Sequence, residues 1–140
     1  MGNASLFFFL IAILVLGLLI FVAIILKQKG GTKLDKEKYR ADLTSIQNSL
    51  DKNNTVSYNM AVVEADKLLD RALIEIGARG RTMGERLKWA GNRFSEVNYV
   101  WYAHKLRNQI AHEVNFRISY NEAKRALGNF QQALKDLGAI

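Results

Sequence analysis

Arg107 and His112 stand five residues apart in the stretch Arg107-Asn108-Gln109-Ile110-Ala111-His112. An imidazole exchanges protons near neutral pH, and a guanidinium stays charged and donates from a planar fork. Cleavage of RNA by its own 2′-hydroxyl needs both kinds of group: a proton acceptor, and a fixed cation for the negative charge that develops on the phosphorane. Asn108 lies four residues before His112, so on a helix the two share a face and the amide could orient the ring. Arg107 and His112 themselves are about 140° apart around a straight helix. Arginine's reach, a helix ending near His112, or a second copy of the chain would bring them to one substrate. The plain alternative for His112 is a cation interacting favourably with a helix C-terminus.

Other candidates for chemistry are fewer. His104 and His112 are about 12 Å apart along a helix axis, too far to share a metal ion, and His104 reads as a packed or hydrogen-bonded interior residue. The chain has no cysteine, which excludes disulfides and cysteine-ligated metals. No metal site and no cofactor are expected, and there is no phosphate-binding Walker loop, dinucleotide fingerprint or Ser-His-Asp pairing. Gly77-Ala78-Arg79-Gly80 resembles the backbone-clamping loop of KH domains, but that fold needs strands the sequence does not offer, so a helix-connecting loop is expected. Arg79 and Arg81, just before a helix start at Thr82, read as candidate RNA-phosphate contacts.

The elements that must hold these residues are all helical. There is no proline and little strand-type alternation. Five helices are expected after residue 33. The first runs from about Asp35 to Lys52, and the second from about Ser57 to Ile76, with Ala61, Ala65, Leu68, Leu69, Ala72, Leu73 and Ile76 on one face and Gly77 as its cap. The third starts at the capping pair Thr82 and Glu85 and reaches about Arg93; the fourth runs from Ser95 to about His112. The fifth starts at the pair Ser119 and Glu122 and ends at Gly138, with an apolar stripe of Ala123, Ala126, Leu127, Phe130, Leu134 and Leu137. A compact antiparallel bundle follows.

The fourth helix is apolar on two sides. Tyr99, Ala103, Leu106 and Ile110 form the expected core face, and nearly opposite runs a row of Val97, Trp101, His104, Asn108 and His112. Such a helix is either central in its bundle or buried against a partner.

Arg107-Asn108-x-x-Ala111-His112 at the end of a helix in an all-helical domain resembles the Arg-x(4–6)-His motif of the HEPN superfamily, small helical domains associated with ribonucleases and toxins. The polar residue after the arginine, the preceding apolar-aromatic helix and the capped final helix also fit, and the resemblance covers roughly residues 57–140. It implies a four- to five-helix HEPN-like bundle and a homodimer in which two motifs form one composite, metal-independent site. It further implies that Arg107 and His112 are catalytic and Asn108 supporting, in an endoribonuclease or a toxin-type RNA-binding module.

Residues 1–26 carry no charged side chain, and residues 6–26 form an apolar run broken only by Gly17. At 1.5 Å per residue this run spans roughly 31 Å, the thickness of a bilayer's hydrocarbon core. Its start lacks the basic residues of a signal peptide, so a retained anchor is expected. Lys27, Lys29 and Lys33 flank only its C-terminal side, which places the N-terminus outside and the domain in the cytoplasm. Asn3-Ala4-Ser5 lies too near the bilayer to be a useful glycosylation site, and Leu6 breaks a myristoylation pattern. The organisation expected is a transmembrane anchor at 1–27, a basic linker at 28–33 and a helical bundle at 34–140. The formal net charge is +7, and residues 79–125 hold ten basic against four acidic side chains. Such a region suits phosphate, anionic lipid or an acidic protein. RNA, the bilayer, a second copy and an unidentified protein partner are the expected partners. The competing function is a non-catalytic membrane-anchored interaction module.

Overall fold

The computed structural model describes residues 2–28 and 33–140. Among them are six α-helices and one turn of 3-10 helix. These are α1 Gly2–Gln28, α2 Lys36–Asn48, α3 Thr55–Glu75, α4 Met83–Trp89, the 3-10 turn Gly91–Arg93, α5 Val97–His112 and α6 Tyr120–Asp136. The chain divides into two units, Met1–Gly31 and Thr32–Ile140.

The first unit is the helix α1. Its stretch Ala4–Ile25 is long and apolar enough to cross a membrane, and none of it is buried against protein. At 1.5 Å per residue it spans about 33 Å. The linker expected at 28–33 lies outside the described residues except at its two ends.

The second unit is a packed bundle centred on α3, which contacts α2, α4, α5 and α6. Of the apolar face expected for α3, Ala61, Ala65, Leu68, Leu69, Ala72 and Leu73 lie in the core, joined by Val62, while Ile76 is half-buried at its edge. The alanines let neighbouring helices approach closely while the leucines fill the space between them. Asn54 opens α3 by accepting from the backbone N–H of Val56. The helix closes where Gly77, at φ 78°, turns left-handed and the N–H of Ala78 donates back to the Leu73 carbonyl at 2.9 Å. α6 closes the same way: Gly138 has φ 72° and the Ala139 N–H donates to the Leu134 carbonyl at 2.9 Å. Phe130 and Leu134 of α6 are fully buried against the bundle. Each such side chain contributes roughly 1.5–3 kcal/mol through burial.

Several local expectations change: α2 ends at Asn48 rather than about Lys52, and α4 ends at Trp89, with Gly91–Arg93 a separate 3-10 turn. α5 starts at Val97 rather than Ser95 and has no side-chain cap. Ser95 bonds instead to α6, its backbone N–H and its hydroxyl both donating to the Asp136 carboxylate at 2.8 Å. Thr82 does cap α4 through the Glu85 N–H, but the Glu85 carboxylate accepts from the N–H of Arg81, one residue earlier than a closed capping box requires. At Ser119 both halves of the box form. Finally, α5 is rotated from the expected core face: Tyr99 is 49 % exposed, while Val100 and His104 are buried beside Ala103 and Leu106. A polar residue on the buried face requires a polar partner.

Candidate functional site: a basic cleft around a buried aspartate

That partner is Asp66. Its position on α3 falls within the run of residues that pack the core, and Asp66 and His104 are the two polar residues among the buried set. His104 Nδ1 lies 2.8 Å from Asp66 Oδ1. A carboxylate only accepts, so the Nδ1–H donates to it and Nε2 faces the other way. Asn108, one turn along α5, places its Nδ2 3.3 Å from that Nε2, and its Oδ1 accepts from Arg107 Nη1 at 3.0 Å. Arg107 Nε returns to within 3.3 Å of Asp66 Oδ2. The Nε–H is not aimed at an acceptor, so this last contact is an ion pair rather than a hydrogen bond.

Asp66, His104, Asn108 and Arg107 therefore form a closed ring of polar contacts between α3 and α5. Each member constrains the next: the carboxylate fixes the imidazole tautomer, the imidazole fixes the amide orientation, and the amide oxygen holds the guanidinium. A buried carboxylate without these partners would cost several kcal/mol. His104, expected as an interior residue, is the link that makes the ring possible.

The ring borders a cleft between α3, α4 and α5 of about 700 Å³. Lys67, Arg81, Arg86, Lys105 and Arg107 line it against two carboxylates, Asp66 and Asp70. Arg86 is committed to Asp70 by two bonds of 2.7 and 2.8 Å, and it also donates to the Gly80 carbonyl at 2.9 Å. These bonds hold its guanidinium firmly in the charged form, the Asp70 hydrogen bond outweighing the opposing effect of burial. The loop that delivers Arg81 to the rim depends on Gly80, at φ 142°, where an added Cβ would stand 2.6 Å from the Glu85 Cβ. Trp101 lines the wall of the cleft and meets His104 edge-on, ring centroids 6.0 Å apart.

The structure brings three of the residues singled out from sequence to this cleft, Arg107, Asn108 and Arg81. Arg79 is exposed outside the lining. His112, the last residue of α5, is exposed, and its side chain has no hydrogen bond or ion pair among the described residues. Asn108 reaches back to His104 rather than forward to His112. Within one copy of the chain, then, Arg107 and Asn108 form part of the ring and His112 does not. Sequence reasoning missed Asp66. Its signal was a lone carboxylate on the apolar face of α3, between Ala65 and Leu69. Among the described residues, no group of three or more His, Asp or Glu side chains is placed to hold a metal ion. Comparison with protein-family models, with curated proteins and with solved structures finds no match to this chain.

Proposed function

We propose that this chain is a membrane-tethered, HEPN-like RNA-processing domain. α1 is its bilayer anchor, with the N-terminus outside and the bundle in the cytoplasm. Two copies pair so that Arg107 and His112 act together as a metal-independent endoribonuclease. The observation that carries the reading is the fixed placement of Arg107: a guanidinium held by Asp66 and Asn108 at the edge of a cleft rich in cations. A preorganised cation of this kind stabilises the charge that builds on a phosphorane without reorganising during the reaction. The exposed imidazole of His112 at the end of α5 is accessible to a substrate or to a second copy. Pairing answers the separation of the two groups around the helix axis. The test is degradation of a mixed RNA pool by the purified full chain in detergent micelles, with and without chelator. Chelator-resistant cleavage supports the reading, and intact RNA overturns the enzymatic part of it.

A second reading is a non-catalytic interaction module tethered at the membrane. One observation favours it: Arg107 is already paired with a buried carboxylate, as a purely structural arginine would be. Stable pairing of copies without cleavage would select this alternative.

A further inference from the structure

The cleft contains more than the motif residues require. We propose that within a single copy of the chain it binds a nucleotide unit, with the phosphate held by Arg81 and Lys105 and the base stacked against Trp101. The proposal rests on the RNA reading above for the identity of a natural ligand, but not for the site itself.

Three of the five lining cations are already committed. Arg86 is bound to Asp70, Arg107 belongs to the ring, and Lys67 pairs with Glu64 at 2.8 Å. Arg81 and Lys105 line the same cleft and, among the described residues, neither side chain has an ion-pair partner. Two uncommitted cations on one concavity are an anion site in search of its anion. Trp101 supplies the second half. A half-buried indole on the wall of a polar cleft offers its surface to a planar base, and such stacking is tolerant of base identity.

Gly84 bounds the cleft on the α4 side. It sits in α4 facing Trp101, where a Cβ would lie 3.8 Å from the indole Cη2 and 3.9 Å from His104 Nε2. An alanine fits there in ordinary contact, whereas any longer side chain extends into the cleft. The volume, about 700 Å³, falls within the range of small-molecule sites, large enough for a nucleotide. Free nucleotides and RNA strands present the same phosphate-plus-base chemistry, and the experiment separates them.

The test follows indole fluorescence of the full chain in micelles, in a Trp89→Phe background so that Trp101 is the sole reporter. AMP, adenosine, inorganic phosphate and a ten-nucleotide single-stranded RNA are titrated in turn. Quenching by AMP and not by adenosine or phosphate alone supports a free-nucleotide site, and saturable quenching by the RNA alone supports a strand site. In either case Arg81→Ala and Lys105→Ala should each weaken binding about tenfold and reduce its salt dependence. Gly84→Leu should abolish it, whereas Trp101→Phe, followed by competition, should retain most of it. Circular dichroism identifies any variant that fails to fold, and Gly84→Ala, which fits in ordinary contact, is the control. No quenching by any phosphate-bearing base, or affinity unchanged in folded Gly84→Leu, overturns the proposal. RNA cleavage is followed in parallel. Binding without cleavage leaves the site standing and removes the nuclease, and cleavage unaffected by Gly84→Leu does the reverse.

Discussion

Asp66 and His104, on different helices and 38 residues apart in sequence, meet at 2.8 Å in the interior of the bundle. Both side chains are more than nine-tenths buried. The contact joins α3 to α5 and sets the orientation of everything downstream in the ring. Asp66→Ala should therefore destabilise the bundle by about 3 kcal/mol, since it leaves Arg107 and His104 without the partner that compensates their burial. Arg107→Ala should cost less, because its side chain is 28 % exposed and water can replace part of what it loses. Urea unfolding followed by circular dichroism ranks the two. The opposite ranking would mean that Asp66 is not the hub of the ring.

The loop before α4 sets a second expectation. Gly80→Ala forces a Cβ into the Glu85 side chain and the backbone at Arg86, at a φ that other residues rarely adopt. A loss of at least about 1 kcal/mol is expected in thermal unfolding. Gly128, in the middle of α6, has nothing within 4 Å of an added Cβ, so Gly128→Ala should instead raise stability, by roughly 0.5–1 kcal/mol, through helix propensity.

Acid should weaken the bundle at two carboxylates. The Glu122 carboxyl is held below its usual range by the backbone N–H of Ser119 and then by the Ser119 hydroxyl. At Asp136 burial acts to raise the pKa, but the bonds from the Ser95 N–H, Gln132 and the Ser95 hydroxyl prevail and lower it. A carboxylate depressed in the folded state stabilises it fully above the unfolded value of about 4, and the contribution fades as pH falls through the lower folded value. Stability measured between pH 6 and 2 should fall in that window, and Glu122→Gln or Asp136→Asn should each flatten the slope. A slope unchanged in both variants would assign acid sensitivity to other groups.

Much of this architecture was legible in the residues themselves. Helix-period apolar faces on α3 and α6, the left-handed glycines 77 and 138, and the Ser119–Glu122 box each follow from local chemistry, and each forms as its residues dictate. What was not legible depends on tertiary contacts. Ser95 reads as the start of a helix, but its N–H and hydroxyl are taken by Asp136 from 41 residues away. Tyr99 fits an apolar face by spacing, yet the burial of His104 against Asp66 turns α5 so that Tyr99 faces out. The motif residues were identifiable by type; the ring that holds two of them was not, because its key member lies on another helix.

Topology offers an independent check on the membrane reading. With the bundle in the cytoplasm, protease added to sealed right-side-out vesicles should leave it intact, and permeabilised vesicles should lose it. Digestion in sealed vesicles would place the bundle outside and remove it from cytoplasmic RNA.

If Arg107 and His112 cleave RNA without a metal ion, the cleavage rate of a defined RNA by the full chain and its single variants in the presence of EDTA reports it. Arg107→Lys retains a positive charge opposite Asp66 but loses the planar fork, and His112→Ala removes an exposed side chain with no hydrogen bond or ion pair among the described residues, so both variants should stay folded. Cleavage by the wild-type chain is expected, with a fall of about 10² or more in each variant, the magnitude for losing a phosphorane cation or a proton-transfer group. Undiminished cleavage in His112→Ala, or no cleavage by the wild-type chain, would contradict it.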